Sequence, residues 1–359
     1  KTAFDGAETI VINQDTEMAD QPVLAPRKSS QPLAPLSRNS YFSQIAQNVP
    51  ERLQNVAFVG SLASGKTSIV QLMSETDPNS EYTPPSHPLE VLRQMSIFTN
   101  YSCNLAPSSQ GRSSLVNILD TPGHPNFFGE VLCALEAVDS VVFVVDIIEG
   151  MTNTDKKTLN EVVKRNLPIV LVISKLDRLV FELRIPPSDA FLKIRHVIEE
   201  INQYLSNIPI SQKANSPQIL MNRVVFASAN LGFFFNLQSI EKLYKITETD
   251  LNDMGFYELE EELPFWGDVY YNKDTNTFHD HSNNTQWHRS FVLFVLEPFY
   301  KLALNVLTAD DEALHLKKLL WDNFSIRLSN KIYREDTHQV LRLVFLAVYG
   351  KTTLADVFA

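Results

Sequence analysis

Gly60 and Gly65 bracket four residues and are followed at once by Lys66-Thr67-Ser68, a spacing that folds a backbone around phosphate groups with its N–H groups pointing inward. Glycine at those two positions keeps side chains out of the approach. In such a loop the stretch from Gly60 through Ala63, Ser64 and Gly65 to Ser68 cradles phosphate oxygens. The Lys66 ammonium reaches the outer phosphates, and the Thr67 hydroxyl holds Mg²⁺. An ammonium about 4 Å from an anionic oxygen is worth roughly 4 kcal/mol near a protein surface. The apolar run Val56–Val59 reads as a strand entering the loop, and a helix opening at Lys66 would aim its positive dipole end at the ligand. A chance glycine-rich turn is the competing reading; it would have to place the strand and the helix by accident.

Two more clusters have the residue types such a site needs. Asp120-Thr121-Pro122-Gly123-His124 follows an apolar strand, so the strand end delivers Asp120 towards Mg²⁺ and leaves the Gly123 amide able to donate to a γ-phosphate. His124 stands where an imidazole can orient an attacking water. By itself the pentapeptide is also a simple Pro-Gly turn, and a single histidine is commonly a surface residue. Ser174-Lys175-Leu176-Asp177 and Ala227-Ser228-Ala229 each end a later apolar run, where ligands bind in open α/β sheets. An aspartate there accepts from N1–H and the exocyclic amine of guanine, a donor pair adenine lacks. The Lys175 stem would lie along the base and the Ser228-Ala229 backbone would meet the guanine oxygen. A solvated Lys-Leu-Asp turn is the alternative.

The elements that must position these residues alternate from Asn55 onward between apolar strands and amphipathic helices, an α/β pattern. Residues 74–90, with Pro78, Pro84, Pro85 and Pro88, read as loop. Paired strands are expected over 91–105 and 113–119, helices over 127–138, 153–166 and 189–205, and strands over 140–146, 168–174 and 224–228, the last closing a mostly parallel sheet. Past Gly232 the chain turns aromatic and acidic. A strand at 265–271 entering a hairpin, a helix over 287–307 interrupted by Pro298, and helices over 311–323, 338–349 and from Leu354 are expected. Three regions follow: an extended partner-binding arm over 1–50, a core over 51–232, and an insertion with closing helices over 233–359. The arm is polar and proline-rich, its apolar islands Ile10–Ile12, Val23-Leu24 and Leu33–Leu36 being too sparse for a core of their own.

Bulk properties narrow the field. With 359 residues, 44% of them hydrophobic, the chain can fill a large core. A net charge of −11 gives no reason to expect autonomous nucleic-acid binding. Cys103 and Cys133 fit no metal spacing and no disulfide framework, which is compatible with a reducing compartment. No stretch is apolar for the ~20 residues a membrane span needs, so no membrane partner is expected.

Together these motifs resemble a GTPase, and Asp120–His124 resembles the translational class that includes elongation factor G and eukaryotic elongation factor two. Trp266-Gly267-Asp268, the hairpin and Phe294–Leu302 look like the insertion that eukaryotic elongation factor two carries in its nucleotide domain. Glu8–Val11, Asp15-Thr16 and Gln21–Pro26 resemble the N-terminal segment of the spliceosomal branch of that family, found in the U-five small nuclear ribonucleoprotein; Ser174–Leu179 and Pro186–Ala190 resemble the same branch. The resemblance implies a P-loop GTPase domain with GTP or GDP and Mg²⁺ as cofactors. It makes Ser96 a metal ligand beside Thr67 and Asp120, Ile97 an apolar gate, and His124 the water-orienting residue. It also implies a nuclear location, and as partners a large spliceosomal scaffold protein, an RNA helicase and small nuclear RNA. The expected role is a nucleotide-stabilised switch or scaffold in spliceosome activation and disassembly, within a much longer protein.

The same resemblance leaves a translation elongation factor, or a ribosome-associated GTPase, as the alternative. Asp177 and Ser228-Ala229 argue against an ATP-using kinase. Two departures from the family pattern stand out: Ser174 where the family has Asn, and Arg93-Gln94-Met95-Ser96 without the usual glycine. Because no arginine is placed by motif beside the γ-phosphate, hydrolysis is expected to be slow.

Overall fold

In Val141-Val142-Phe143-Val144-Val145 successive side chains point to opposite faces. Both sets are buried, Val141, Phe143 and Val145 in one core and Val142 and Val144 in another. A strand buried on both faces belongs in the middle of a helix-covered sheet. The structure, a computed structural model, describes residues 10–12, 52–76, 87–107, 113–208, 219, 221–244, 251, 254, 265–272, 275–279, 288–308, 314–324, 326–329, 332–334 and 336–349. After β1 (Ile10–Ile12) the chain runs β2 (Leu53–Val59), α1 (Lys66–Thr76), α2 (Pro88–Arg93), β3 (Asn100–Pro107), β4 (Ser113–Asp120), α3 (Phe128–Glu136) and β5 (Ser140–Asp146). It continues through α4 (Asn153–Lys164), β6 (Ile169–Ser174), α5 (Asp177–Phe181), α6 (Pro187–Asn207), β7 (Val224–Ser228), β8 (Phe233–Asn236) and α7 (Leu237–Tyr244).

These strands form a seven-stranded sheet in the order β3-β4-β2-β5-β6-β7-β8. From β4 to β7 neighbours are parallel, and β3 and β8 are antiparallel edges. The chain passes from β2 to β4 on one side and then to β5 on the other, so the strand order reverses beside β2 and a crevice opens at its C-terminal end. On one face α1 packs Ile69, Val70, Leu72 and Met73 against the sheet. On the other lie α3, α4 and α6, with Leu135, Leu159 and Phe191 in the core.

The remaining elements are β9 (Tyr270–Asn272), β10 (Thr277–His279), β11 (His288–Arg289), α8 (Glu297–Leu307), α9 (Leu314–Phe324), β12 (Ile326–Leu328) and α10 (Thr337–Tyr349). The first three make a small antiparallel sheet. The closing helices join the main core through aromatic side chains: Phe345 of α10 lies 5.5 Å from Phe233 and 4.8 Å from Phe299 between ring centroids.

Several expectations are corrected. The strand expected from residue 91 starts at Asn100, because Pro88 opens a short helix instead. Proline suits the first helical turn, where its missing N–H costs nothing. His87 Nδ1 accepts from the Leu89 N–H at 3.3 Å, and Gln94, at φ 51°, stops the helix. Val224–Ser228 is not the last strand: β8 pairs with it antiparallel, so the sheet continues past residue 232. Residues 288–289 are strand rather than helix, and the helix after them carries a π segment, Val292–Leu296.

Pro298 accounts for the π segment. Having no N–H, it leaves the Phe294 carbonyl without its helical donor. The Glu297 N–H reaches back five residues to the Val292 carbonyl, and the Tyr244 hydroxyl donates to the Phe294 carbonyl at 2.8 Å. In the arm, Ile10–Ile12 pairs in parallel with Ile326–Leu328 of the same chain, so this island is used internally. Val23-Leu24, Leu33–Leu36 and the helix expected from Leu354 lie outside the described residues. Among the described residues no helix is long and apolar enough to cross a membrane.

Tyr244→Phe removes the one donor that replaces the proline's missing N–H. It is expected to cost about 1–3 kcal/mol, the usual cost of a buried polar group left unsatisfied. A lower denaturation midpoint at unchanged cooperativity is the expected reading; an unchanged midpoint would show that water reaches that carbonyl.

Candidate nucleotide site at the strand ends

Four parallel strands end on residues singled out above or beside them: β4 on Asp120, β5 on Asp146, β6 on Ser174 and β7 on Ser228, while Gly60 follows β2. Parallel alignment therefore brings residues 168 positions apart in sequence, Gly60 and Ser228, to one edge. The loop after β2 wraps its own lysine. Lys66 Nζ donates to the carbonyls of Gly60 at 3.0 Å and Ser61 at 2.8 Å, with Ser64 Oγ at 3.5 Å. Gly60 sits at φ 152°, and a Cβ there would meet the Val144 carbonyl at 2.3 Å, so only glycine lets the loop leave β2 against β5. Lys66 is only 6% exposed; burial brings its pKa down to about 8, against the pull of Asp120 and Asp155.

Asp120 lies beside this lysine, 1% exposed, and among the described residues neither of its carboxylate oxygens has a donor in hydrogen-bond geometry, the Thr67 hydroxyl being nearby. Burial pushes its pKa up to about 6, with the Thr67 hydroxyl and Lys66 pulling back and Glu90 adding to the rise. Thr67 Oγ1 is 3.3 Å from Ser96 Oγ. Two hydroxyls and an unpartnered buried carboxylate are hard oxygen donors of the kind Mg²⁺ takes, so the residues present fit that ion. Gly123 packs on the loop: a Cβ there would lie 2.5 Å from Lys66 Nζ, 2.6 Å from the Ser61 carbonyl and 2.8 Å from the Leu62 nitrogen.

A cleft of about 760 Å³ opens over this floor. Ala63, Gly65, Lys66, Thr67 and Ser68 line it with Gly123, Lys175, Glu90, Arg93 and Ser96. At its far end Ser174 Oγ lies 2.6 Å from the Ser64 carbonyl and 3.0 Å from that of Val145. Lys175, in left-handed backbone at φ 60°, donates to Asp146 Oδ2 at 2.9 Å, as does Arg178 at 2.8 Å. Burial works to raise the Asp146 pKa, but Lys175, the Ile148 N–H and Arg178 hold it below the usual carboxylate range. Asp177 Oδ1 accepts from Ser228 Oγ at 2.6 Å and its Oδ2 from Asn230 Nδ2 at 3.4 Å. Ala229 lines an adjoining hollow of about 300 Å³ with Ser68, Asn230 and Arg342.

His124 Nδ1 accepts from the Asn126 N–H at 3.2 Å and its ring tilts against Phe127, so the imidazole caps the Pro125–Phe127 turn. The sequence reading missed three residues, Glu90, Asp155 and Asn230. Glu90 accepts from the Ile97 and Phe98 N–H groups at 2.7 and 3.1 Å and so holds the segment carrying Ser96. Arg93, read in the sequence as part of that segment, lines the cleft. Asp155, fully buried, caps α4 through Thr152 and helps hold the Lys66 charge. Asn230 touches Asp177. Of these only Asp155 had a local signal, the Thr-x-x-Asp spacing of a capping box.

Against this geometry, a family profile described as the elongation factor Tu GTP-binding domain matches residues 51–263. The chain belongs to that family. Its matched region includes β8, in keeping with the sheet's continuation past residue 232. Among curated relatives, the pre-mRNA-splicing factor cwf10 of Schizosaccharomyces pombe is 33% identical over 96% of this chain and 35% of its own length. Pre-mRNA-splicing factor SNU114 of Saccharomyces cerevisiae is 31% identical over 95% of this chain and 34% of its own. The 110 kDa U5 small nuclear ribonucleoprotein component CLO of Arabidopsis thaliana is 30% identical over 97% and 36%. The chain thus spans about a third of the length of these relatives.

Two outcomes are expected. Gly123→Ala forces a methyl against the Ser61 carbonyl and the Leu62 nitrogen, backbone that cannot swing aside, as well as against the Lys66 ammonium, so nucleotide affinity is expected to fall at least about tenfold, read by equilibrium titration. Asp120 has a folded pKa of about 6 against an ordinary 3.8, so the neutral form is favoured in the fold. Without Mg²⁺, that stability is fully present below about pH 4 and is lost as pH rises through 6, a difference of about 3 kcal/mol. Asp120→Asn is expected to flatten the chain's stability over that window in denaturant titrations; an identical pH profile would show that another group titrates there.

Proposed function

We propose that this domain binds GTP or GDP with Mg²⁺ and serves as the nucleotide switch of a U5 small nuclear ribonucleoprotein component acting in pre-mRNA splicing. The observation that carries the nucleotide reading is the single edge on which Asp120, Lys66 with Thr67, and Asp177 with Ser228 lie in that order across the sheet. Lys66 and Thr67 take phosphates and metal, Asp120 with Ser96 completes the metal's oxygen donors, and Asp177 reads the guanine edge while the Lys175 stem lies along the base. Mg²⁺, when bound, neutralises charge developing on the phosphates. The relatives support the splicing assignment because they match almost the whole chain, the closing helices included. Ribosome assembly protein 1 of Saccharomyces cerevisiae, which represents the ribosomal alternative, is 25% identical over 83%.

In this reading the protein works in the nucleus alongside a large scaffold protein, an RNA helicase and small nuclear RNA. The arm beyond Ile12 supplies docking contacts to the scaffold. Hydrolysis is slow because no arginine is placed by motif beside the γ-phosphate; Arg93 lines the cleft wall, and Lys66 is the cation for the outer phosphates.

Competition binding is expected to show guanine nucleotides preferred over adenine ones. Asp177→Asn, which exchanges an acceptor for a donor, should shift the preference towards xanthine nucleotides, the lost charged hydrogen bond costing roughly 1.5–3 kcal/mol. Equal affinity for ATP and GTP would refute the base assignment. Single-turnover hydrolysis by the isolated chain is expected on the order of 10⁻⁴ s⁻¹; fast turnover without a partner would contradict that expectation.

A further inference from the structure

The loop that follows β7 is held from outside the nucleotide core by α10. Asn230 turns its amide nitrogen to Asp177 Oδ2, so its Oδ1 faces away and meets His338 Nε2 at 2.9 Å. Because that oxygen only accepts, His338 Nε2 carries the proton. One turn further along α10, Arg342 packs on Gly232. That glycine sits at φ 74°, and a Cβ on it would lie 3.1 Å from the Arg342 Nε and 3.2 Å from its Cγ. Between these two contacts the loop is fastened internally: Leu231 N–H donates to Ser228 Oγ at 3.3 Å, and Gly232 N–H to the Ala229 carbonyl at 3.3 Å. The helix itself is fixed by Val344, Phe345 and Val348, all buried in the main core.

We propose that His338 is a positioning residue for guanine recognition, acting through Asn230 to hold the Asp177 carboxylate in the plane of the base. This rests on the reading of Asp177 as the guanine acceptor. Ser228 fixes one carboxylate oxygen and Asn230 the other; two fixed oxygens define a plane, whereas one leaves the group free to rotate about its last bond. Guanine presents two donors to that plane, N1–H and the exocyclic amine. Hypoxanthine presents only N1–H. Loss of the plane therefore penalises guanosine diphosphate more than inosine diphosphate. His338 is exposed, 108 residues from Asn230, and touches no phosphate or metal residue described above. Through it the closing helix is tied to nucleotide affinity, and a partner that moves α10 would alter guanine retention.

The test measures guanosine and inosine diphosphate affinities of the chain, its melting temperature, and the same for His338→Ala, His338→Gln and Asn230→Ala. Losing one net hydrogen bond corresponds to about a fivefold change. His338→Ala and Asn230→Ala are expected to weaken guanosine diphosphate about fivefold and inosine diphosphate less, at unchanged melting temperature. His338→Gln, which keeps a donor, is expected to restore the ratio. Unchanged guanosine diphosphate affinity in His338→Ala, or an equal loss for both nucleotides, overturns the relay while leaving the parent's guanine preference intact. A parent that does not prefer guanosine to adenosine diphosphate overturns the base site itself, and the relay with it.

Discussion

The structure depends on a charge imbalance around Lys66. Its ammonium has three protons, and the loop oxygens of Gly60, Ser61 and Ser64 surround it. Three carboxylates, Asp120, Asp155 and Glu90, are buried around the same floor, and two of them leave oxygens unpartnered. One positive charge against three negative ones is a poor receptor for an anion in a medium that screens little. A divalent cation held by Asp120, Thr67 and Ser96, as proposed above, would reverse the sign locally. The raised pKa of Asp120 comes first from its burial, with Glu90 adding to the rise and Thr67 and Lys66 working against it.

The sheet makes such a site possible by fixing distances that loops alone would not hold. β2 and β5 to β7 are buried along most of their length, so their C-terminal ends cannot shift independently. Two side-chain ties then cross between strand ends and bind the phosphate half of the cleft to the base half: Ser174 to the Ser64 carbonyl, and Lys175 with Arg178 to Asp146. The closing helices add a third constraint from outside, since the aromatic cluster of Phe233, Phe299 and Phe345 anchors α10 to the strand that follows the base loop.

What could be read from the sequence were features with local signals. Glycine spacing, strand-end aspartates and the period-two apolar runs placed the phosphate loop, Asp120, Asp177 and the central strands, because each depends on residues within one turn or one strand of itself. Glu90 was lost because Pro88 reads as a loop breaker, although the first turn of a helix is where proline fits. β8 was missed since Phe233-Phe234-Phe235 has no alternation to distinguish it from a buried helix segment. The pairing of Ile10–Ile12 with Ile326–Leu328 joins segments 316 residues apart and leaves no trace in either one.

Ser174 shows how a departure from the family's residue can keep the job and change its strength. An asparagine amide at the end of β6 offers two donor protons and an acceptor, enough to bind the phosphate loop and reach a second group together. Serine has one proton. With carbonyl oxygens of Ser64 and Val145 both within hydrogen-bond distance, it can satisfy one of them at a time, and the shorter contact favours Ser64. The link between strand and loop therefore survives on a single proton, with Ser174 itself 2% exposed. In the proposed guanine reading more of the recognition then falls on Asp177 and on whatever holds that carboxylate in place, which here is Ser228 on one side and Asn230 on the other.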